Sequence, residues 1–401
     1  MFFKDRTILL LSFAALSHGS AFYFLFSSLK PFYVLSPFLI FIYCYYGLSK
    51  KNSNLYIYLL VFSFLLYTLL FAFTLDYDQL RWLDNFYLLG IIISIGMADL
   101  SLKIENIKYS KRILFFIILL LLVSLTFELF LGVSFVQKQS EFIVSSFFNN
   151  PNDLASFVII TYLSTLLFII KTEGGFLEYT TLFLVCLVIL LVTMSRTALL
   201  VFFIVSLLFA CSRLKFGFLY LLLGIVAGYL FYSFFLEGIL IALIDNSSEL
   251  VSMNAKRIWL FLFSLDADNS VGAREEIYFA FLSNLHNATL GFGIKNYSEF
   301  FSGYNVIELS KVNPHSLLID FSLSFGYLGA VIYFASPAYM LYLIISKKTD
   351  DLSPIFLFCA IFIYFSVSLI PSSIYRLPFF FYPFFLIMFN HTRKVRKKDI
   401  W

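Results

Sequence analysis

The sequence predicts an all-α polytopic membrane protein of about 12 transmembrane helices, with one large outer loop between helices 9 and 10. Three observations carry that prediction. Of the 401 residues, 61% are hydrophobic and only 13% charged, which is too apolar a surface for a soluble chain of this size. Apolar runs of membrane-spanning length recur along the chain. Lys and Arg, finally, sort onto alternate connections between those runs.

A hydrocarbon core of roughly 30 Å takes about 20 helical residues at about 1.5 Å each. Runs of that kind are expected at about 7–28, 31–49, 55–75, 84–101, 113–133, 154–171, 177–194, 197–211, 215–236, 325–346, 354–370 and 374–390. The first begins like a signal peptide, with Lys4 and Arg6 ahead of an apolar core and Gly19-Ser20-Ala21 behind it. Its apolar character continues to Leu29, so it is read as a retained anchor. Eighteen of the 28 basic residues fall on one set of connections, among them Lys4, Arg6, Lys103, Lys111, Lys171, Arg213, Lys347 and Arg393. The short connections of the other set hold only Lys30, Arg81, Lys138, Arg196 and Arg376. This bias puts both termini in the cytoplasm and the 237–314 segment on the outer, periplasmic side of a single integral-membrane domain spanning 1–401.

That outer segment opens with a polar stretch, Glu237 to Asn254, and passes through a short apolar run, Ile258 to Leu265. After Arg274, Ile277, Ala280, Phe281 and Asn284 follow helical spacing, which predicts an amphipathic helix to about Leu285. No internal repeat or low-complexity tract interrupts the chain. The net charge of +4 is distributed by topology rather than gathered into a groove, which argues against nucleic-acid binding. Cys44, Cys186, Cys211 and Cys359 lie inside apolar runs without metal-ligand spacing and read as small buried hydrophobes.

In this topology every even-numbered helix presents its N-terminus, the positive end of its dipole, to the outer surface. Three of those starts carry polar residues: Asn149-Asn150-Pro151-Asn152-Asp153, Ser195-Arg196-Thr197 and Asn313-Pro314-His315-Ser316. Arg376 stands before a fourth. A helix N-terminus beside an arginine is an anion site of the kind a diphosphate requires. The same residues also have structural readings. Asn150, Asn152, Asp153 and Asn313 suit helix capping as well as substrate binding, and Arg196 can snorkel to the interface. Arg274, beside Glu275 and Glu276, fits an ordinary surface ion pair. His315 is read in a first helical turn, where the dipole keeps an imidazole neutral and fit to act as a base. Glu128 and Asp320 are acids within or near the membrane and are functional candidates on that ground. Asp266-Ala267-Asp268 has the spacing of a metal-nucleotide site, but a solvated loop accounts for it better. No metal or other cofactor is expected.

The motif series resembles the bacterial O-antigen ligase and polymerase superfamily. Asn-Pro-Asn-Asp-Leu-Ala (150–155), Ser-Arg-Thr-Ala-Leu-Leu (195–200) and Gly-Ala-Arg-Glu-Glu-Ile (272–277) come in order. Gly-Phe-Gly-x-x-x-Tyr (291–297), Asn-Pro-His-Ser-Leu-Leu-Ile-Asp (313–320) and Gly-Tyr-Leu-Gly (326–329) follow. Each motif is weak alone, and the series covers roughly the second half of the chain. The resemblance implies glycan transfer from an undecaprenyl diphosphate carrier on the outer face of the bacterial inner membrane. It implies that Arg196 and Arg274 hold the donor diphosphate, that His315 assists the acceptor hydroxyl, and, on a looser match, that Arg376 joins the diphosphate site. Ser316 stands where the family more often has asparagine.

The activity expected is that of an O-antigen or capsular polysaccharide polymerase, joining lipid-linked repeats with a glycan acceptor and a chain-length regulator as partners. An O-antigen ligase, handing finished polymer to lipid A core, uses the same chemistry. A polysaccharide or lipid transporter is the reading from another class, disfavoured by the lack of repeated halves. A purely structural scaffold leaves the arginines and histidine at the helix ends unexplained.

Overall fold

The computed structural model describes residues 4–16, 31–49, 82–132, 145–148, 150–193, 195–213, 232–246, 269–292, 316–347, 352–370 and 377–398, with single positions between them. All regular structure among these residues is helical. The helices are α1 (Asp5–Leu16), α2 (Pro31–Ser49), α3 (Trp82–Ser101), α4 (Ile104–Leu131), α5 (Pro151–Lys171), α6 (Phe176–Thr193) and α7 (Arg196–Arg213). Then come α8 (Glu237–Asn246), α9 (Asn269–Ser283), α10 (Leu317–Phe325), α11 (Tyr327–Ile345), α12 (Pro354–Val367) and α13 (Tyr382–Lys398). Four of them, α4, α5, α6 and α11, are long and apolar enough to cross a membrane. The expected span at 55–75 lies outside the described residues, as does most of the one at 215–236.

Helix α5 is the axis of the bundle. Every residue from Asp153 to Ile169 is buried, as expected of a helix that is apolar all round. Three of its hydroxyls are satisfied within the helix: Thr161 donates to Phe157 O at 2.7 Å, Ser164 to Ile160 O at 2.8 Å and Thr165 to Thr161 O at 2.7 Å. Small polar residues bonded in this way let neighbouring helices approach closely. By contrast, α4 and α11 expose apolar side chains outward, among them Phe116, Val123, Val331 and Phe334.

The side-chain contacts fix helix directions. Lys111, near the start of α4, bonds Thr172 at 3.0 Å and Glu178 at 2.8 Å, at the turn between α5 and α6. Tyr179 meets Phe209 with ring centroids 5.5 Å apart, and Phe183 stacks on Phe202 at 5.2 Å, so α6 and α7 are antiparallel. Phe209 also meets Phe356 at 6.4 Å, which pairs the end of α7 with the start of α12. Lys103 forms an ion pair with Asp5, bringing the start of α1 to the turn between α3 and α4. The bundle therefore has two chemically distinct ends. One gathers Asp5, Lys103, Lys111 and Lys171; the other holds the starts of α5 and α7 and the close of α12.

Three differences from the sequence reading have physical causes. Helix α4 starts at Ile104 rather than near 113, because the polar stretch Glu105–Arg112 is itself helical and lengthens the span. The run expected at 325–346 agrees with α11, but the stretch leading into it forms a separate short helix, α10, broken from α11 at Gly326 (φ 66°, ψ −151°). That backbone conformation is open almost only to glycine. The run expected from 374 enters through a 3₁₀ turn, Pro378–Phe381, and becomes an α-helix only at Tyr382. Pro378 and Pro383 lack the N–H groups a continuous helix would use.

Candidate functional site at the polar end of the bundle

Asn150 caps α5, its side-chain oxygen accepting from Asn152 N at 2.8 Å, and Pro151 takes the first helical position. The capping role read from Asn-Pro-Asn-Asp is thus filled by Asn150. Asn152 is half-buried and Asp153 buried in the first turn. The turn that delivers them, residues 145–148, is held from α4: one carboxyl oxygen of Glu128 accepts from Ser145 N at 3.2 Å and from Ser146 N at 2.8 Å. Ser146 takes a positive φ of 54° there, and its hydroxyl pairs with that of Ser124. Glu128, a functional candidate by its membrane location, is therefore the anchor of this turn. A lone acid in an apolar helix was the sequence signal; its partners, Ser145 and Ser146, carry no motif.

Arg196 opens α7 and is half-exposed. Ser195 before it is buried, and its carbonyl accepts from Leu199 N at 2.9 Å. Because α7 and α12 run antiparallel, the Arg196 end of α7 lies level with the close of α12 at Val367 and Ser368. Ser368 O in turn accepts from Leu317 N at 3.0 Å. The Ser368 hydroxyl pairs with Tyr333 Oη at 2.9 Å, and Tyr364 donates to Tyr333 O at 2.7 Å, fixing α10, α11 and α12 together.

Helix α10 begins at Leu317 with Ser316 as its cap, the Ser316 side chain accepting from Ile319 N at 3.4 Å. The described helix begins at Leu317; His315, expected in a first helical turn, lies outside the described residues. Ser316 thus has a structural duty as the cap of α10. His315, Asn313 and Arg376 lie outside the described residues, as does the side chain of Arg274.

Their flanking segments nevertheless meet. Phe321 of α10 stacks on Phe381 at 6.2 Å, joining the segment after His315 to the segment after Arg376. Phe379 lies 5.0 Å from Phe157 of α5, and Phe157 lies 5.3 Å from Phe148, in the turn held by Glu128. Helix α9, which carries Arg274, buries Ile277, Ala280 and Phe281 against Ile319 and Leu323 of α10. Those α9 residues are the ones the helical spacing assigned to a buried face. Phe292 N donates to Leu323 O at 2.6 Å and Tyr327 N to Thr289 O at 3.3 Å. A Cβ on Gly291 (φ 79°) would meet Gly326 N at 2.5 Å, so the two glycine motifs pack directly on each other. Asp320, just inside α10, is 1% exposed.

The capped starts of α5 and α10 and the Arg196 start of α7 thus lie at a single end of an apolar bundle, where the positive ends of the helix dipoles and one arginine gather. The model of the family described as O-antigen ligase matches residues 181–334, which include Arg196, α9, the Gly291 turn and α10. No curated protein matches the chain. The match at residues 181–334 supports placing this chain in the O-antigen ligase/polymerase superfamily.

Proposed function

We propose that the protein is a polysaccharide polymerase of the bacterial inner membrane, elongating O-antigen or capsular glycan from undecaprenyl-diphosphate-linked repeats. In this reading both termini are cytoplasmic, about 12 helices cross the membrane, and the 237–314 loop and the end that holds Arg196 face the periplasm. The charge distribution supports that orientation, since the basic connections in the sequence coincide with the end opposite Arg196.

The acceptor hydroxyl of one lipid-linked repeat attacks the anomeric carbon of the donor glycan. His315 takes the hydroxyl proton, the new C–O bond forms, and the bond from the anomeric carbon to the diphosphate oxygen breaks with inversion. Undecaprenyl diphosphate leaves with the bonding electron pair. Arg196 and Arg274, with Arg376, balance the charge that develops on it, a task for fixed cations and helix N-termini in a site of low dielectric. Asn150 keeps the start of α5 capped, Asn152 and Asp153 line its first turn, and Asn313 leads the chain toward His315. A chain-length regulator is the expected protein partner.

The single observation that supports this reading most is the meeting of the motif-bearing segments through α10, α12 and the Phe379–Phe381 turn. A ligase that transfers finished polymer to lipid A core is the second reading, favoured by the family description itself. Deleting the gene separates the two. Lipopolysaccharide capped with a single repeat indicates a polymerase, whereas long polymer stranded on the lipid carrier indicates a ligase. An unchanged glycan profile refutes both, and with them leaves transport of polysaccharide or lipid as the reading to test.

A further inference from the structure

We infer that α9 and the turn following it do not stand free in water but lie partly within the bilayer, with a second apolar face covered by lipid acyl chains. From Ile277 to Leu282 the helix reads Ile-Tyr-Phe-Ala-Phe-Leu, apolar on every side. A helix of that kind must be enclosed by protein or by lipid. Among the described residues, protein packs on one face, through Ile277, Ala280 and Phe281. On the other face Phe279 is 70% and Leu282 68% exposed, and Leu290 in the following turn is 71% exposed.

What covers this face is indicated by its continuity with α11. The Tyr327 N to Thr289 O bond sets Leu290 beside the start of α11. Tyr327, Leu328, Val331 and Phe334 there are all exposed, on a helix apolar and long enough to span the membrane. One apolar surface therefore runs from the side of a membrane helix onto the outer loop. The change from Arg274-Glu275-Glu276 to Ile277 in the sequence sets the headgroup level, with the charged half of α9 toward water and the apolar half in the acyl region.

The test uses the full-length wild-type protein in nanodiscs containing a phospholipid with a photoactivatable diazirine on its acyl chain, followed by peptide mapping of the adducts. Adducts are expected on Phe279, Leu282 or Leu290 as well as on Val331 or Phe334 of α11, which serves as the internal control. Adducts on α11 with none between residues 277 and 290 would overturn the inference, whether water or another protein covered the face. As a second readout, hydrogen exchange of the 277–283 amides is expected to be slower in nanodiscs than in a short-chain detergent. Equal exchange in the two media would also count against it. Neither result depends on the transfer reaction, so failure here and failure of the proposed activity are separable.

Discussion

Replacing Glu128 by alanine removes one side chain and strands two buried donors. Ser145 N and Ser146 N both give their hydrogen bonds to the same carboxyl oxygen, at 3.2 and 2.8 Å, and both serines are 0% exposed. A buried amide deprived of its acceptor costs about 1–3 kcal/mol. Two such donors make Glu128→Ala destabilising by about 3 kcal/mol. Glu128→Gln keeps a carbonyl oxygen in the same place and is expected to lose about 1 kcal/mol. The assay is equilibrium unfolding in mixed micelles, with Thr126→Ala as the control. Thr126 is exposed and donates to Leu122 O in its own helix, so its loss should stay within about 0.5 kcal/mol. If the alanine and glutamine variants at 128 are equally stable, or if Glu128→Ala matches the Thr126 control, the anchoring role assigned to this carboxyl group is wrong.

Other substitutions probe the contacts that hold the polar end together. Gly326→Ala would set a Cβ 2.1 Å from Thr289 O in a backbone conformation with φ of 66°, and is expected to free the 285–292 segment, read as faster limited proteolysis there. Tyr333→Phe removes the 2.9 Å bond to Ser368 but leaves the Ser368 hydroxyl its 2.6 Å bond to Phe365 O, so unfolding should show a loss of only about 1 kcal/mol. Arg196→Glu should lower turnover of the lipid-diphosphate donor by about 100-fold or more, with a smaller change in the KM for acceptor. Equal effects on donor and acceptor would argue against a diphosphate contact.

Much of the bundle is legible from local pattern. The run 31–49 coincides with α2, and 84–101, 154–171 and 177–194 each agree with a helix to within a few residues at either end, because span length and apolar continuity are properties of the segment alone. The buried face of α9 was likewise readable, since Ile277, Ala280 and Phe281 announce it by spacing. The break at Gly326 was not, because it depends on Thr289 and Gly291 packing against that glycine from a distant part of the chain. Nor could the partners of Glu128 be read from its surroundings, since Ser145 and Ser146 reach it across the connection between two helices. At the site, charge and motif order single out the starts of α5 and α7 and the approach to α10. Which of them meet is decided by aromatic contacts such as Phe321 with Phe381, and phenylalanines are too common in this chain to mark those pairs beforehand.

The central claim is that His315 is the base for glycan transfer from a lipid diphosphate at this end of the bundle. The most direct measurement compares single-turnover transfer by purified wild-type protein and His315→Ala, using an undecaprenyl-diphosphate oligosaccharide as donor and acceptor. Wild type should yield elongated product, and the variant should be slower by about 100- to 10,000-fold, the usual worth of a positioned base, while still binding donor. Full transfer by His315→Ala would contradict the account.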